Sequence, residues 1–398
     1  MRKLKIVPII LAMLLILNAC SVWEYVDDWF EERIIRFLPG NLVPEQDWDL
    51  PPEPIVNTQK PQSRHYYERL EPRLQHAYLY IEREMPNFPE RIEIPEMDAH
   101  AVAQVVRAYS YDNPVQFNMG ENYTIVTQGG RYYFQPEYRF EREDYEEFLR
   151  QATDVLEELA AAVDRTDSDF KRQLALHDAL LERVVYASDR KPHEATFYGA
   201  LVLGRASCEG YARGMKLLLE ELGIENVLLT GNATNRSGRT EAHMWNLVLI
   251  DGLWYHLDPT WNDVENDEIR YDYFNLNDEE IGISHDISDS WLKAVSTQAN
   301  FFRKTGMFFE DYDSGTREAV TSALRESLKN GKYQIEMRFS TRELMETAKD
   351  ALTNPNGGDI YRMLDTASLA SRDPILTNEI SFSFNEHLGV VRFGVIRK

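Results

Sequence analysis

One of only two cysteines in this 398-residue chain, Cys208, stands in the stretch GRASCEGYARGM, residues 204–215. A thiol becomes a nucleophile when its thiolate is stabilised and a base stands ready for its proton. The following residues, CEGYARGMKLLLEELGI, place Tyr211, Ala212, Met215, Leu218, Leu219 and Leu222 on one stripe, and Gly223 supplies a stop. Cys208 therefore falls in the first turn of a predicted helix. Unpaired N–H groups and partial positive charge at that end favour a thiolate. The same N–H groups could hold the oxyanion formed when sulfur attacks an acyl carbon. The competing expectation is a small buried packing residue, since free cysteine is commonly one. Gly210 and Gly214 are costly inside a helix, which points to close approach of another part of the chain.

A base and its orienting group are offered by HMWNLVLIDGLWYHLDPTW, residues 243–261. Two β-rich runs flank Asp251-Gly252, a strong short-range hairpin signal. A two-residue turn there sets Ile250 against Leu253 and Trp245 against Asp258. His243 then lies diagonally from Asp258 on one face, at roughly 7–8 Å between backbones, a gap that an imidazole and a carboxylate can close. Such a carboxylate fixes the ring's tautomer and leaves the other nitrogen for a thiol proton. His256, two residues before Asp258, shares that face by strand alternation and is a rival base on spacing alone. His243 has the advantage of lying at the open end of the hairpin.

These elements need a scaffold. A helix is predicted over Ser168–Val185, with Phe170, Leu174, His177, Leu180 and Leu181 along one face, feeding into the Cys208 segment. From about Asp169 to Asn277 the sequence resembles the transglutaminase-like core, a papain-related superfamily. The resemblance rests on LHDALLERVVYAS, FYGALVLGRASCEGYARGMKLLLEELGI, HMWNLVLIDGLWYHLDPTWND and YDYFN, in that order. It implies a Cys-His-Asp triad of Cys208, His243 and Asp258, and so favours His243 over His256. The implied chemistry is attack on a peptide or glutamine amide through a thioester, with hydrolysis favoured over cross-linking. A protein-glutamine acyltransferase is the alternative, and a surface protein that only binds its target is the alternative from another class. No cofactor or metal is expected; the acids of NDVENDE, residues 262–268, lack the order of an EF-hand loop.

The net charge of −23, from 43 basic and 66 acidic residues, argues against a nucleic-acid partner. At the N-terminus, MRKLKIVPIILAMLLILNAC has a basic start and an apolar run from Ile6 to Leu17, the layout of an export signal. Its end, Leu17-Asn18-Ala19-Cys20, resembles a bacterial lipobox, which implies cleavage before Cys20 and a diacylglycerol on its sulfur. A plain secretory signal or an anchor helix is the alternative. With Cys20 lipidated, Cys208 has no partner for an intramolecular disulfide. The expected setting is a membrane-anchored lipoprotein outside the cytoplasm, acting on protein or peptide at the cell envelope.

The predicted fold class is α+β, a papain-like or transglutaminase-like core with an N-terminal α+β region and a small C-terminal α+β domain. The expected layout is a signal peptide over 1–19, a lipid-anchored tether over 20–62, the N-terminal region over 63–150, the core over 151–296 and the C-terminal domain over 297–398. The tether is rich in proline, at Pro39, Pro44, Pro51, Pro52, Pro54 and Pro61. A helix over 65–84, a strand at RIEIP, a helix opened by Asp98, a hairpin at Gly129-Gly130 and a charged helix over 141–164 are predicted before the core. In the last region KYQIEMRFS alternates as a strand, TRELMETAKDAL reads as a helix, and 378–398 reads as a strand pair.

Overall fold

The computed structural model describes residues 64–395, apart from 190, 265–267, 289, 332–333, 355–356 and 372–379. The expected signal peptide, Cys20 and the tether lie outside the described residues.

The first region comprises α1 (Pro72–Glu84), β1 (Ile92–Ile94), α2 (Ala99–Asp112), β2 (Met119–Gln128) and β3 (Arg131–Tyr138). Its sheet has the order β1-β3-β2. The hairpin turns at Gly129 and Gly130, with φ of 62° and 78°, values that only glycine adopts freely. Asp98 caps α2 by accepting from the Ala101 N–H. The helix predicted from residue 65 begins only at Pro72; a single 3-10 turn, Tyr67–Arg69, precedes it. Proline has no N–H to give the preceding turn, so it suits a first helical position and ends continuity before it.

The central region contains α3 (Arg142–Ala161), α4 (Asp169–Leu181), β4 (Val185–Tyr186), α5 (Phe197–Leu201), β5 (Arg205–Ala206), α6 (Cys208–Glu221), β6 (Asn226–Thr234), β7 (Thr240–Ile250) and β8 (Leu253–Leu257). The short elements α7 (Pro259–Asn262), β9 (Asp263–Val264), β10 (Glu268–Ile269), β11 (Phe274–Leu276) and α8 (Asp278–Ile281) follow. Four antiparallel strands form a sheet in the order β11-β8-β7-β6, and α6 packs on β6 and β7. All six residues of the predicted stripe on α6 are buried. Gly223, at φ 72°, ends the helix, with Ile224 N–H returning to the Leu219 carbonyl. The β7–β8 register is the predicted one, Ile250 opposite Leu253 through Asn246 opposite Leu257. Helix α4 stops at Leu181, short of the expected Val185, because Val185 is drawn into a parallel pairing with Arg205.

The last region holds α9 (Phe301–Lys304), β12 (Phe308–Phe309), α10 (Ser314–Lys329), β13 (Gln334–Phe339), α11 (Arg342–Thr353), α12 (Asp359–Ser371), β14 (Ile380–Asn385) and β15 (Val390–Val395). Its sheet runs β12-β13-β15-β14, with β12 parallel to β13. Helices α10 and α12, which the sequence reading did not single out, pack against each other. The apolar core of this region continues into the central one through Tyr273, Leu276 and Ile281. Arg392 bonds both Glu336 at 2.7 Å and Asp272 at 3.0 Å, fastening β15 beside Tyr273.

Candidate active site

Helix α6 opens at Cys208, directly after Ser207 in its extended cap conformation. Ser207 N–H and its hydroxyl both reach the Glu194 carbonyl, at 2.8 Å and 3.2 Å, which pins the helix start to the preceding loop. Gly210 makes this approach possible: a Cβ there would stand 2.4 Å from the Glu194 carbonyl oxygen. The first N–H groups of a helix have no intrahelical acceptor, and Cys208 stands in that first turn. The residue is half-buried rather than sealed.

Strand β7 brings His243 to the sulfur. Its Nε2 lies 2.8 Å from Asp258 Oδ2, which leaves Nδ1 outside that bond, and Cys208 stands near enough to favour the charged ring. The imidazole is packed between Trp245, at 6.2 Å centroid separation, and Trp261, at 5.6 Å. Burial works against its charged form, but the charge and hydrogen bond of Asp258, with the facing Cys208, outweigh it and hold the imidazolium up to about 10.

Asp258 ends β8 and caps α7, and it is fully buried. Its Oδ1 accepts from the N–H groups of Thr260 at 2.9 Å and Trp261 at 3.2 Å. Burial penalises its charge, yet the His243 cation and bond, and the hydrogen bond from His285, hold the carboxyl far below the usual carboxylate range. Beneath α7, Asn262 bonds His177 at 3.1 Å and receives the Tyr273 N–H at 2.9 Å, which fixes the turn carrying the carboxylate.

The rival His256 is engaged on both sides. Trp245 Nε1 donates to its Nδ1 at 3.0 Å, so its Nε2–H faces Asp278, also at 3.0 Å. Burial pushes it below the ordinary histidine value, against the pull of Asp278. The structure thus brings Cys208, His243 and Asp258 together and keeps His256 out of that group. A residue that the sequence reading did not single out joins them: His285 Nε2 lies 3.0 Å from Asp258 Oδ2.

Ligand atoms of His243, Asp258 and His285 lie within 4.8 Å of one another, a donor set that a transition metal can accept. Here both Nε2 atoms are at hydrogen-bond distance from Oδ2 itself. Hydrogen bonds from the two imidazoles to one carboxylate oxygen are sufficient to hold the cluster together. A cavity of about 700 Å³ lies elsewhere, between α2, β6 and the loop holding Ile287 and Trp291, and it meets the site only through Trp245.

Residues 157–259 match the family described as the Transglutaminase-like superfamily. The chain carries a transglutaminase-like core domain. The matched segment contains Cys208, His243 and Asp258 and ends one residue beyond the last of them. No curated protein matches the sequence. Among solved structures, the chain is similar to a candidate cysteine protease from Cytophaga hutchinsonii (14% identity, 35% of this chain and 61% of that one, TM-score 0.24). It is also similar to a TGase (15% identity, 45% and 53%, TM-score 0.25). A third is the periplasmic domain of TgpA from Pseudomonas aeruginosa bound to ethylmercury (18% identity, 34% and 58%, TM-score 0.22). The chain thus spans between about half and three-fifths of these proteins' lengths. His285 falls outside the part of the transglutaminase-like core that the family match covers. It also belongs to no named strand, only to an isolated bridge with Ala233, so strand alternation in the sequence gives no sign of it.

Proposed function

We propose that this protein is a cysteine amidase or peptidase in which Cys208 is the nucleophile, His243 the base and Asp258 the group that orients the base. The observation that carries this reading is the bond of His243 Nε2 to the buried Asp258 carboxylate at 2.8 Å, with Cys208 at the start of α6 near enough to favour the charged ring. The Cys208 thiolate attacks an amide carbonyl carbon, a C–S bond forms, and the π electrons move onto oxygen beside the first N–H groups of α6. Collapse expels the amine, which takes the proton from His243 Nδ1, and leaves a thioester. Water, deprotonated by the same nitrogen, then attacks; the acid leaves and the thiolate returns to its imidazolium partner. Exposed Val185 and Tyr186 on β4 pair with Arg205 and Ala206, which precede Cys208 by three and two residues, and offer an apolar surface for the acyl side of a peptide.

The test is mass spectrometry of exported proteins incubated with the active protein and with its Cys208→Ala variant. New chain ends that depend on Cys208 support hydrolysis. New isopeptide bonds replace it with acyl transfer, and no change in either replaces it with binding alone. The envelope setting belongs to the same proposal, resting on the lipobox resemblance at Cys20. Cys20→Ala is expected to release the protein from membrane fractions, and retention overturns the lipid anchor.

A further inference from the structure

We propose that His285 is a positioning residue of this site, a second histidine that holds the Asp258 carboxylate so that Oδ2 faces His243. This rests on the reading of Cys208, His243 and Asp258 given above. His285 follows Asp258 by 27 residues and is fully buried at its side chain. With its bond in place Asp258 accepts from four donors, two backbone N–H groups on Oδ1 and two imidazoles on Oδ2. Asp258 is acceptor-only, so His285 presents Nε2–H to it and takes the Ser284 hydroxyl on Nδ1, at 2.9 Å.

The ring is held in place as firmly as the carboxylate. Trp261, Trp245 and Tyr273 surround it at centroid separations of 4.5, 5.0 and 5.7 Å. Its backbone is laced to β6, with Thr234 N–H on the Ser284 carbonyl at 2.8 Å and Asp286 N–H on the Asn232 carbonyl at 2.7 Å. Gly231 permits that lacing, because a Cβ there would lie 2.3 Å from the Asp286 carbonyl oxygen. The ionisable groups facing the ring are Asp258, His243, His256 and the Tyr273 phenol. Burial, followed by the neighbouring histidine charges, pushes His285 below the ordinary value against the pull of Asp258, so it serves as a neutral donor.

A buried carboxylate that loses one donor is harder to keep ionised and freer to turn away from its imidazolium partner. The consequence is readable without a substrate, as the rate of Cys208 alkylation by iodoacetamide between about pH 4 and 9. The wild-type thiol is expected to react at acid pH far faster than an ordinary thiol. His285→Phe, which fills the space without an N–H, is expected to lower that acid-side rate about tenfold and to move the acid limb up by about one pH unit. His285→Gln, whose amide can restore a donor, is expected to recover most of the rate, and Ser284→Ala, which removes the hydroxyl held by His285 Nδ1, to move the limb in the same direction as Phe by a smaller amount. A purely structural histidine lowers the melting temperature and leaves the limb in place, and that result overturns the proposal. Should the Phe variant fail to fold, an unmoved limb in Ser284→Ala overturns it equally. An ordinary thiol in the wild type removes the functional reading beneath it, an outcome distinct from a reactive thiol indifferent to His285.

Discussion

The side-chain amide of Asn246, on the strand of His243, donates to the Ala212 carbonyl, on the helix of Cys208, at 2.9 Å. Both partners are fully buried. One hydrogen bond thereby ties the element holding the candidate nucleophile to the element holding its base. Asn246→Ala is expected to cost about 1–2 kcal/mol of unfolding free energy, read by urea denaturation. Thiol reactivity is expected to fall as well, because the two elements lose a shared reference point. Unchanged stability would show that the tie is redundant.

Gly210 and Gly214 both lie on α6, but their surroundings differ. A Cβ at Gly210 would meet the Glu194 carbonyl at 2.4 Å and the Ala206 Cβ at 2.7 Å, whereas one at Gly214 would meet the Ala200 Cβ at 3.3 Å. Gly210→Ala is expected to destabilise by about 1–3 kcal/mol through overpacking. It should also displace the first turn, slowing alkylation of Cys208. Gly214→Ala, which gains helix propensity, should be much milder. Equal effects in thermal denaturation would contradict the comparison.

The charge state of the site makes stability depend on pH in a defined direction. His243 is raised from 6.5 to about 10, so its contribution is complete below about 6.5 and disappears as pH climbs towards 10. Asp258 is lowered from 3.8, so its contribution is present above that value and is lost as pH falls towards the depressed one. The pair therefore stabilises most between about pH 4 and 6.5. His243→Gln is expected to cost more unfolding free energy at the lower end of the neutral range than at strongly alkaline pH. A pH-independent difference in urea midpoints would refute the assignment.

His256 separates packing from chemistry. Its ring bridges Trp245 and Asp278, and both nitrogens are occupied. His256→Gln is expected to lower the melting temperature while leaving a reactive thiol. His243→Gln is expected to abolish the acid-side reactivity of Cys208. Comparable alkylation profiles for the two variants would reopen the choice of base.

Local patterns in the sequence sufficed for much of this site. The apolar stripe from Tyr211 to Leu222 marks α6 as a helix with a core face, although tertiary packing goes further and buries every residue from Gly210 to Leu219, Arg213 and Lys216 among them. Asp251-Gly252 determines the hairpin register, since both positions need positive φ and take φ of 52° and 78°. That register alone brings His243 near Asp258. Spacing could not choose between His243 and His256, because strand alternation gives both the same face. Tertiary packing separates them, occupying His256 with Trp245 and Asp278 while His243 meets Asp258. The same packing shortened α4, where Val185 pairs with Arg205, and it placed His285 against Asp258 through a single bridge to Ala233. A contact made by an isolated residue leaves no periodic trace in the chain, so only the folded arrangement could disclose it.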